Sequence, residues 1–93
     1  MMGRKKKPGG VEIRMKQAII YTKENCLECE RARMLFHTLN VSHLEYKLQK
    51  DYNERQFVSE FGKDASYPQI AIDYKHIGGL KETLQYLKEK QVI

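Results

Sequence analysis

Apolar residues in this 93-residue chain follow strand-like and helix-like spacings in turn. Continuous or alternating apolar residues predict strands, and apolar residues repeated every three or four positions predict amphipathic helices. Gly62 and the pair Gly78-Gly79 interrupt the pattern and mark the ends of elements. In chain order we predict strand 17–22, helix 26–39, strand 43–48, helix 53–61, strand 69–72, strand 76–77 and helix 80–90.

The predicted order of elements is β-α-β-α-β-β-α, which places the chain in the α/β class. The first βαβ unit requires a right-handed crossover and therefore a parallel pair of strands. A short turn at 73–75 joins the last two strands, so these form an antiparallel hairpin. We expect a mixed four-stranded sheet with helices on both faces.

The same spacing predicts which side chains face the core. In the second strand, Leu44, Tyr46 and Leu48 share one side. The core-facing residues predicted for the three helices are Cys29, Ala32, Leu35, Phe36 and Leu39, then Phe57, Val58 and Phe61, then Leu80, Leu84 and Leu87.

The net charge of +5 is confined to one end of the chain. Residues 1–16 hold six basic side chains and one acidic side chain, whereas residues 17–93 are neutral. We expect a disordered basic extension over 1–16 and a single folded domain over 17–93. Because the body is neutral and the tail lacks interleaved aromatics, we expect no nucleic-acid partner.

The most informative motif is Cys26-Leu27-Glu28-Cys29, which follows the first strand and begins the first helix. A C-x-x-C at such a junction is typical of a thiol–disulfide redox pair. The helix dipole and free N–H groups favour a thiolate, and can lower a cysteine pKa from about 8.5 to about 3.5–7.5. We therefore predict that Cys26, at the first helical position, is the nucleophile and that Cys29 is the resolving thiol.

Three neighbouring residues have candidate roles. Asn25 is predicted to be the N-cap of the helix, with Glu28 completing a capping box. Alternatively, the Glu28 carboxylate opposes the Cys26 thiolate and tunes the redox pair. Lys23 either stabilises that thiolate or holds an anionic substrate; otherwise it is a solvated loop lysine.

A structural disulfide and half of a metal site are the alternative roles for the two cysteines. Zinc requires further ligands, and His37, His43 and His76 lie at no ligand spacing, so we expect no metal. No apolar stretch approaches the roughly 20 residues of a membrane span, and no secretory signal is visible. We therefore expect a cytoplasmic protein without a membrane partner, in which the pair is redox-active rather than structural.

Three motifs in this order carry a family resemblance: Tyr21-Thr22-Lys23-Glu24-Asn25-Cys26-Leu27-Glu28-Cys29, Ser66-Tyr67-Pro68-Gln69-Ile70 and His76-Ile77-Gly78-Gly79. Together they resemble the glutaredoxins, within the thioredoxin fold, over residues 17–90. Thioredoxins are less similar, since they usually carry a tryptophan directly before the first cysteine. This chain has Asn25 there and contains no tryptophan.

The resemblance implies a glutathione site. Pro68 matches the family's cis-proline, and the backbone of Tyr67 would pair with the cysteinyl part of glutathione. Lys23 matches a contact to the glycine carboxylate, as Arg55 or Gln56 does more loosely. Gly78-Gly79 would let the substrate approach the last helix, whose free N–H groups suit a carboxylate.

The chain departs from the family pattern at three places. Leu27-Glu28 stands where the family commonly has proline and an aromatic residue, and Ser66-Tyr67 stands where it has threonine and valine. Leu80-Lys81-Glu82 replaces a run with an aspartate that meets the glutathione ammonium. Glu82 is the expected substitute for that aspartate, whereas Lys81 would repel the ammonium, which favours protein disulfides as substrates.

The sequence therefore predicts a monomeric, glutathione-dependent dithiol oxidoreductase that acts on protein disulfides and glutathione mixed disulfides. Glutathione is the reducing co-substrate, and the resemblance implies ribonucleotide reductase as one client. The alternative within enzymes is a thioredoxin-like electron donor fed by a thioredoxin reductase. The alternative from another class is a glutathione-bridged iron–sulfur carrier, against which the second cysteine argues.

Overall fold

The computed structural model describes residues 17–91 and residue 93. Its elements are β1 (Ala18–Thr22), α1 (Leu27–Thr38), β2 (His43–Lys47), α2 (Glu54–Phe61), β3 (Gln69–Ile72), β4 (Lys75–Gly78) and α3 (Leu80–Glu89). The predicted element order is therefore confirmed. The expectation of a disordered basic extension over 1–16 lies outside the described residues. None of the helices in the described part is long and apolar enough to cross a membrane.

The four strands form one mixed sheet in the order β2-β1-β3-β4. β1 and β2 are parallel, while β3 is antiparallel to both β1 and β4. Tyr21 pairs with Gln69, and Ile70 pairs with Gly78. This register places the end of β1, the start of β3 and the end of β4 at the same edge of the sheet.

Helices cover both faces of this sheet. Along β1, Ala18, Ile20 and Thr22 are completely buried, and the core on that side includes Phe36 of α1 and Leu87 of α3. Successive side chains of a strand point to opposite faces. The other face is aromatic, because the Tyr21 ring meets the Phe61 ring of α2 at a centroid distance of 5.0 Å.

The caps of α2 agree with the sequence pattern. Asn53 is the N-cap and accepts a hydrogen bond from the Gln56 N–H at 2.8 Å, while the Gln56 side chain accepts from the Asn53 N–H at 2.9 Å. Gly62 ends the helix with φ of 97°, a conformation that glycine adopts without a Cβ penalty.

Three predicted core residues are instead exposed: Leu44 by 43%, Val58 by 36% and Leu84 by 39%. Leu44 lies on an edge strand. The buried stripes of the helices are also narrower than predicted, because α2 buries Phe57 and α3 buries Thr83 and Leu87. At about 100° per residue, Leu84 points roughly 60° away from Leu87 around the helix axis.

The last hairpin is tighter than predicted. Asp73 and Tyr74 both have positive φ, 51° and 69°, and form a two-residue turn. Such a turn matches the twist of the flanking strands. Lys75 is therefore already the first residue of β4 rather than part of the turn.

Candidate active site

Three loops meet at the sheet edge where β1 and β4 end and β3 begins. These loops carry the three motifs singled out in the sequence: the cysteine pair, Tyr67-Pro68 and Gly78-Gly79. A Cβ added to Gly79 would lie 3.5 Å from the Pro68 carbonyl oxygen and 3.5 Å from Ser66 Oγ. The glycine pair therefore adjoins the proline loop directly.

Cys26 and Cys29 are joined by a disulfide, with their Cα atoms 5.2 Å apart. Cys29 is completely buried, whereas Cys26 is partly exposed. A substrate disulfide approaching from solvent reaches only the Cys26 sulfur. This difference in exposure agrees with the predicted roles of nucleophile and resolving thiol.

Cys26, and not Asn25, is the N-cap of α1. The Cys26 backbone is extended, with φ of −127°, and its Sγ accepts a hydrogen bond from the Cys29 N–H at 3.1 Å. Asn25 has φ of 55°, which is not the extended conformation of an N-cap. The predictions of an Asn25 cap, of Cys26 at the first helical position and of a capping box through Glu28 are therefore wrong.

The acidic side chains near the cysteines lie in two different grooves. Glu28 is exposed and lines a groove together with Leu80 and Lys81 of α3. Glu30 instead lines the groove that contains Cys26, together with three basic residues. These are Lys23, Arg33 and Lys47. Glu24 also lines this groove, and Arg33 is paired with Glu45, so Lys23 and Lys47 are the basic side chains there that can favour a thiolate on Cys26.

The Tyr67–Pro68 peptide bond is cis, as the resemblance implied. The Tyr67 ring stacks on Phe57 of α2 with a centroid distance of 4.1 Å and an interplanar angle of 10°. Lys23 Nζ lies 4.9 Å from the centroid of the same ring. Tyr67 thus links the proline loop both to α2 and to the loop that carries the cysteines.

Glu82 has a structural role at the start of α3. Its Oε1 accepts a hydrogen bond from the Gly79 N–H at 3.0 Å and caps the start of α3. Gly78 has φ of 133°, and a Cβ there would lie 3.0 Å from both Cβ and Cγ of Glu82. The absence of a Cβ at Gly78 therefore leaves room for the Glu82 side chain that forms this cap.

A polar network anchors the end of β1, directly before the cysteine loop. The buried Thr22 hydroxyl donates to Glu45 Oε2 at 2.6 Å, and Arg33 Nε donates to Glu45 Oε1 at 2.8 Å. The Arg33 hydrogen bond is the main cause of a Glu45 pKa below its ordinary value, although burial opposes the shift. Tyr52 completes the anchor, since its hydroxyl donates to the Thr22 carbonyl at 2.6 Å.

Known proteins are similar to this chain in sequence and in fold. A profile of the glutaredoxin family matches residues 18–77. The chain belongs to the glutaredoxin family. Glutaredoxin 3 of Escherichia coli K12 is 38% identical over 60 residues, which cover 64% of this chain and 72% of that protein. Glutaredoxin 1 of Rickettsia prowazekii is 33% identical over 73 residues, covering 76% of this chain and 77% of the relative.

Solved glutaredoxin structures superpose on this one. Glutaredoxin 1 of Francisella tularensis, solved with cacodylate, gives a TM-score of 0.67 at 28% identity and covers 82% of this chain and 95% of its own. A buckwheat glutaredoxin–glutathione complex gives a TM-score of 0.68 at 22% identity. The match covers 81% of this chain and 71% of the buckwheat chain, and it supports the fold. This glutaredoxin therefore has a thioredoxin-like fold. Its family membership and the Cys26–Cys29 pair support a dithiol oxidoreductase.

Sequence patterns did not identify several side chains that shape the site of this glutaredoxin. Tyr52 lies between elements, and Thr22, Arg33 and Glu45 belong to three different elements, so no local motif connects them. Of the two loosely matched residues, Gln56 is engaged in the α2 cap and Arg55 is exposed. In the part of the chain that the structure describes, no group of three or more His, Cys, Asp or Glu could hold a metal ion.

Proposed function

We propose that this glutaredoxin reduces protein disulfides and glutathione mixed disulfides, with glutathione as its electron source. The observation that carries the proposal is the asymmetric pair at the start of α1, with Cys29 buried beneath a partly exposed Cys26. Lys23, which lines the same groove as Cys26, supplies a cation beside the reacting sulfur.

The reaction begins when the Cys26 thiolate attacks one sulfur of a substrate disulfide. A Cys26–substrate mixed disulfide forms, and the other substrate sulfur leaves as a thiolate that takes up a proton. The N–H of Cys29, which points at Cys26 Sγ in the disulfide form, stabilises negative charge on that sulfur.

Cys29 then loses its proton and attacks Cys26 Sγ. The second substrate thiol is released, and the Cys26–Cys29 disulfide seen in this structure is the product. Two glutathione molecules restore the dithiol and are oxidised to one glutathione disulfide. For a substrate that is itself a glutathione mixed disulfide, a second glutathione can release Cys26 without Cys29.

The glutathione site in this proposal combines charge and backbone contacts. Lys23 meets the glycine carboxylate, the Tyr67 backbone pairs with the cysteinyl unit, and the start of α3 after Gly78-Gly79 receives the other carboxylate. Glu82 caps Gly79 through Oε1, and its other oxygen is the proposed partner of the glutathione ammonium. Proteins with exposed disulfides, including ribonucleotide reductase, are the proposed clients of a cytoplasmic monomer.

One observation favours a second candidate, a donor fed by a thioredoxin reductase. Lys81 is exposed at the start of α3 next to Glu82, and its positive charge repels the glutathione ammonium. A coupled assay separates the two candidates: NADPH oxidation is followed with glutathione and glutathione reductase, or with thioredoxin reductase alone. Turnover only in the second system would refute the proposed function.

Cysteine variants test the proposed steps. We expect Cys26→Ser to abolish all disulfide reduction, while Cys29→Ser keeps part of the activity on a small glutathione mixed disulfide and loses activity on protein disulfides. Thiol exchange requires the exposed sulfur in every case, but the buried sulfur only for intramolecular release. Equal activity of the two variants would contradict the assignment of roles.

A further inference from the structure

The Tyr67 side chain lies between two elements of the substrate groove. One face of its ring stacks on Phe57 at 4.1 Å, and the Lys23 ammonium lies 4.9 Å from the ring centroid. Distances of this size place the cation within the range of a cation–π interaction. The proposed function uses only the Tyr67 backbone, so these side-chain contacts require a separate explanation.

The ring also belongs to an aromatic stack. Phe57 stacks on Tyr67 and, at a centroid distance of 6.0 Å, on Tyr52, whose hydroxyl donates to the carbonyl of Thr22, the residue directly before Lys23. Burial raises the pKa of the Tyr52 hydroxyl, so it stays a donor throughout the physiological pH range. Phe57 and Tyr52 therefore link the ring to the segment that carries Lys23.

These contacts have a consequence for binding. A free lysine side chain loses up to about 1.5–2 kcal/mol of rotamer entropy when it is immobilised. A lysine whose ammonium already lies over a fixed ring has lost part of that freedom before a ligand arrives, so less is lost on binding. An ammonium has three donors, and because Lys23 is exposed, its ammonium can donate to a substrate carboxylate while it lies over the ring.

We propose that the Tyr67 ring is a positioning residue that holds the Lys23 ammonium for the carboxylate of the substrate. The inference rests on the proposed function and deepens it, because it identifies the side chain that sets affinity for the glycine carboxylate of glutathione. Valine, which the family commonly has at this position, offers no π face to a cation.

The test compares two substrates that differ only in one charge: the mixed disulfide of glutathione with 2-mercaptoethanol, and the same compound with its glycine carboxylate converted to an amide. The measured quantity is the ratio of KM for the amide to KM for the acid. A cation–π contact at an exposed site is worth about 0.5–1 kcal/mol, so Tyr67→Leu should lower this ratio about two- to fivefold.

Four further variants separate positioning from general damage. Tyr67→Phe keeps the ring and should keep the ratio, whereas Lys23→Gln should bring it close to one. Tyr67→Leu added to Lys23→Gln should lower the ratio no further, because Tyr67 acts through Lys23. Tyr46→Leu removes another ring, which packs at a tilt against Tyr21 with a centroid distance of 5.5 Å, and should leave the ratio unchanged.

If Tyr67→Leu fails to fold, fluorinated phenylalanine at position 67 replaces it, with Tyr67→Phe as reference. Fluorine weakens the negative face of the ring while keeping its shape, so the ratio should fall. An unchanged ratio in Tyr67→Leu or in the fluorinated protein, or a further fall in the double variant, would overturn the inference. The proposed function would survive that result, since it fails only if the unmodified protein does not turn over the glutathione substrate.

Discussion

Replacing Glu45 by glutamine tests the network that anchors the end of β1. The carboxylate accepts from the buried Thr22 hydroxyl at 2.6 Å and from Arg33 Nε at 2.8 Å. Glu45→Gln keeps the side-chain shape but removes the charge, and its amide presents one acceptor oxygen in place of two. We therefore expect the folded state to lose stability even though the packing is conserved.

The size of the loss follows from the exposure of the pair. Hydrogen bonds to charged groups contribute roughly 1.5–3 kcal/mol each. Because the Arg33 and Glu45 side chains are 33% and 24% exposed, solvent screens part of their attraction. We expect Glu45→Gln to lower the free energy of unfolding by about 1–2 kcal/mol at pH 7. For a domain of this size, each kcal/mol corresponds to roughly 4–8 °C in Tm.

The pH dependence gives the sharper result. Hydrogen bonding to Arg33 lowers the Glu45 pKa in the folded state, so the carboxylate stabilises the fold above its unfolded pKa of about 4.3. This contribution is lost as the pH falls through the lowered folded pKa. The stability gap between the unmodified protein and Glu45→Gln should therefore be largest near pH 7 and shrink below pH of about 4.

Urea unfolding of the oxidised protein at several pH values measures this gap directly. Thr22→Val is the matched control, because it removes the buried hydroxyl but retains the Arg33–Glu45 pair. The stability lost in Thr22→Val should be similar at pH 7 and at pH 4.5, because the Glu45 carboxylate is charged at both. A Glu45→Gln gap of equal size at pH 7 and at pH 3 would refute the assignment of stability to the charged form.

Two further predictions concern the active-site loops. Glu28→Gln should make the redox pair more oxidising, because a carboxylate disfavours the thiolate of the reduced form. Glu30→Gln should make the pair more oxidising still, since Glu30 lines the same groove as Cys26. Redox titration against glutathione checks this, and a shift below about 10 mV in both variants would exclude carboxylate tuning. Gly78→Ala should destabilise the protein by about 1–3 kcal/mol, since a Cβ would meet Glu82 at a strained φ. Gly62→Ala shares the positive φ but has open space, and in thermal unfolding it should therefore be the milder change.

Local pattern was sufficient to predict much of this protein. The order of elements, the Asn53 start and Gly62 end of α2, and the redox pair all follow from residues a few positions apart. Such features depend on backbone preference, capping and periodic burial, which act over one or two helical turns.

The wrong predictions made from local pattern have two causes, the backbone conformation of a loop and the packing of neighbouring elements. Asn25 is a good cap residue by type, but the loop gives it a positive φ, and Cys26 takes the capping role instead. Val58 and Leu84 are apolar at helical spacing, yet the neighbouring elements cover only a narrow stripe of each helix. Periodicity predicts which face is apolar, while the packed partner decides how much of that face is buried.

The composition of the site was decided by the tertiary structure. Lys23 and Tyr67 are far apart in the sequence, and they meet because β1 and β3 are antiparallel with Tyr21 opposite Gln69. The same register brings the glycine pair of β4 to Pro68. A motif determines which chemistry is present at one loop, but strand order and register determine which loops share an edge. Contacts across such an edge depend on the whole sheet, and therefore no single segment of the sequence encodes them.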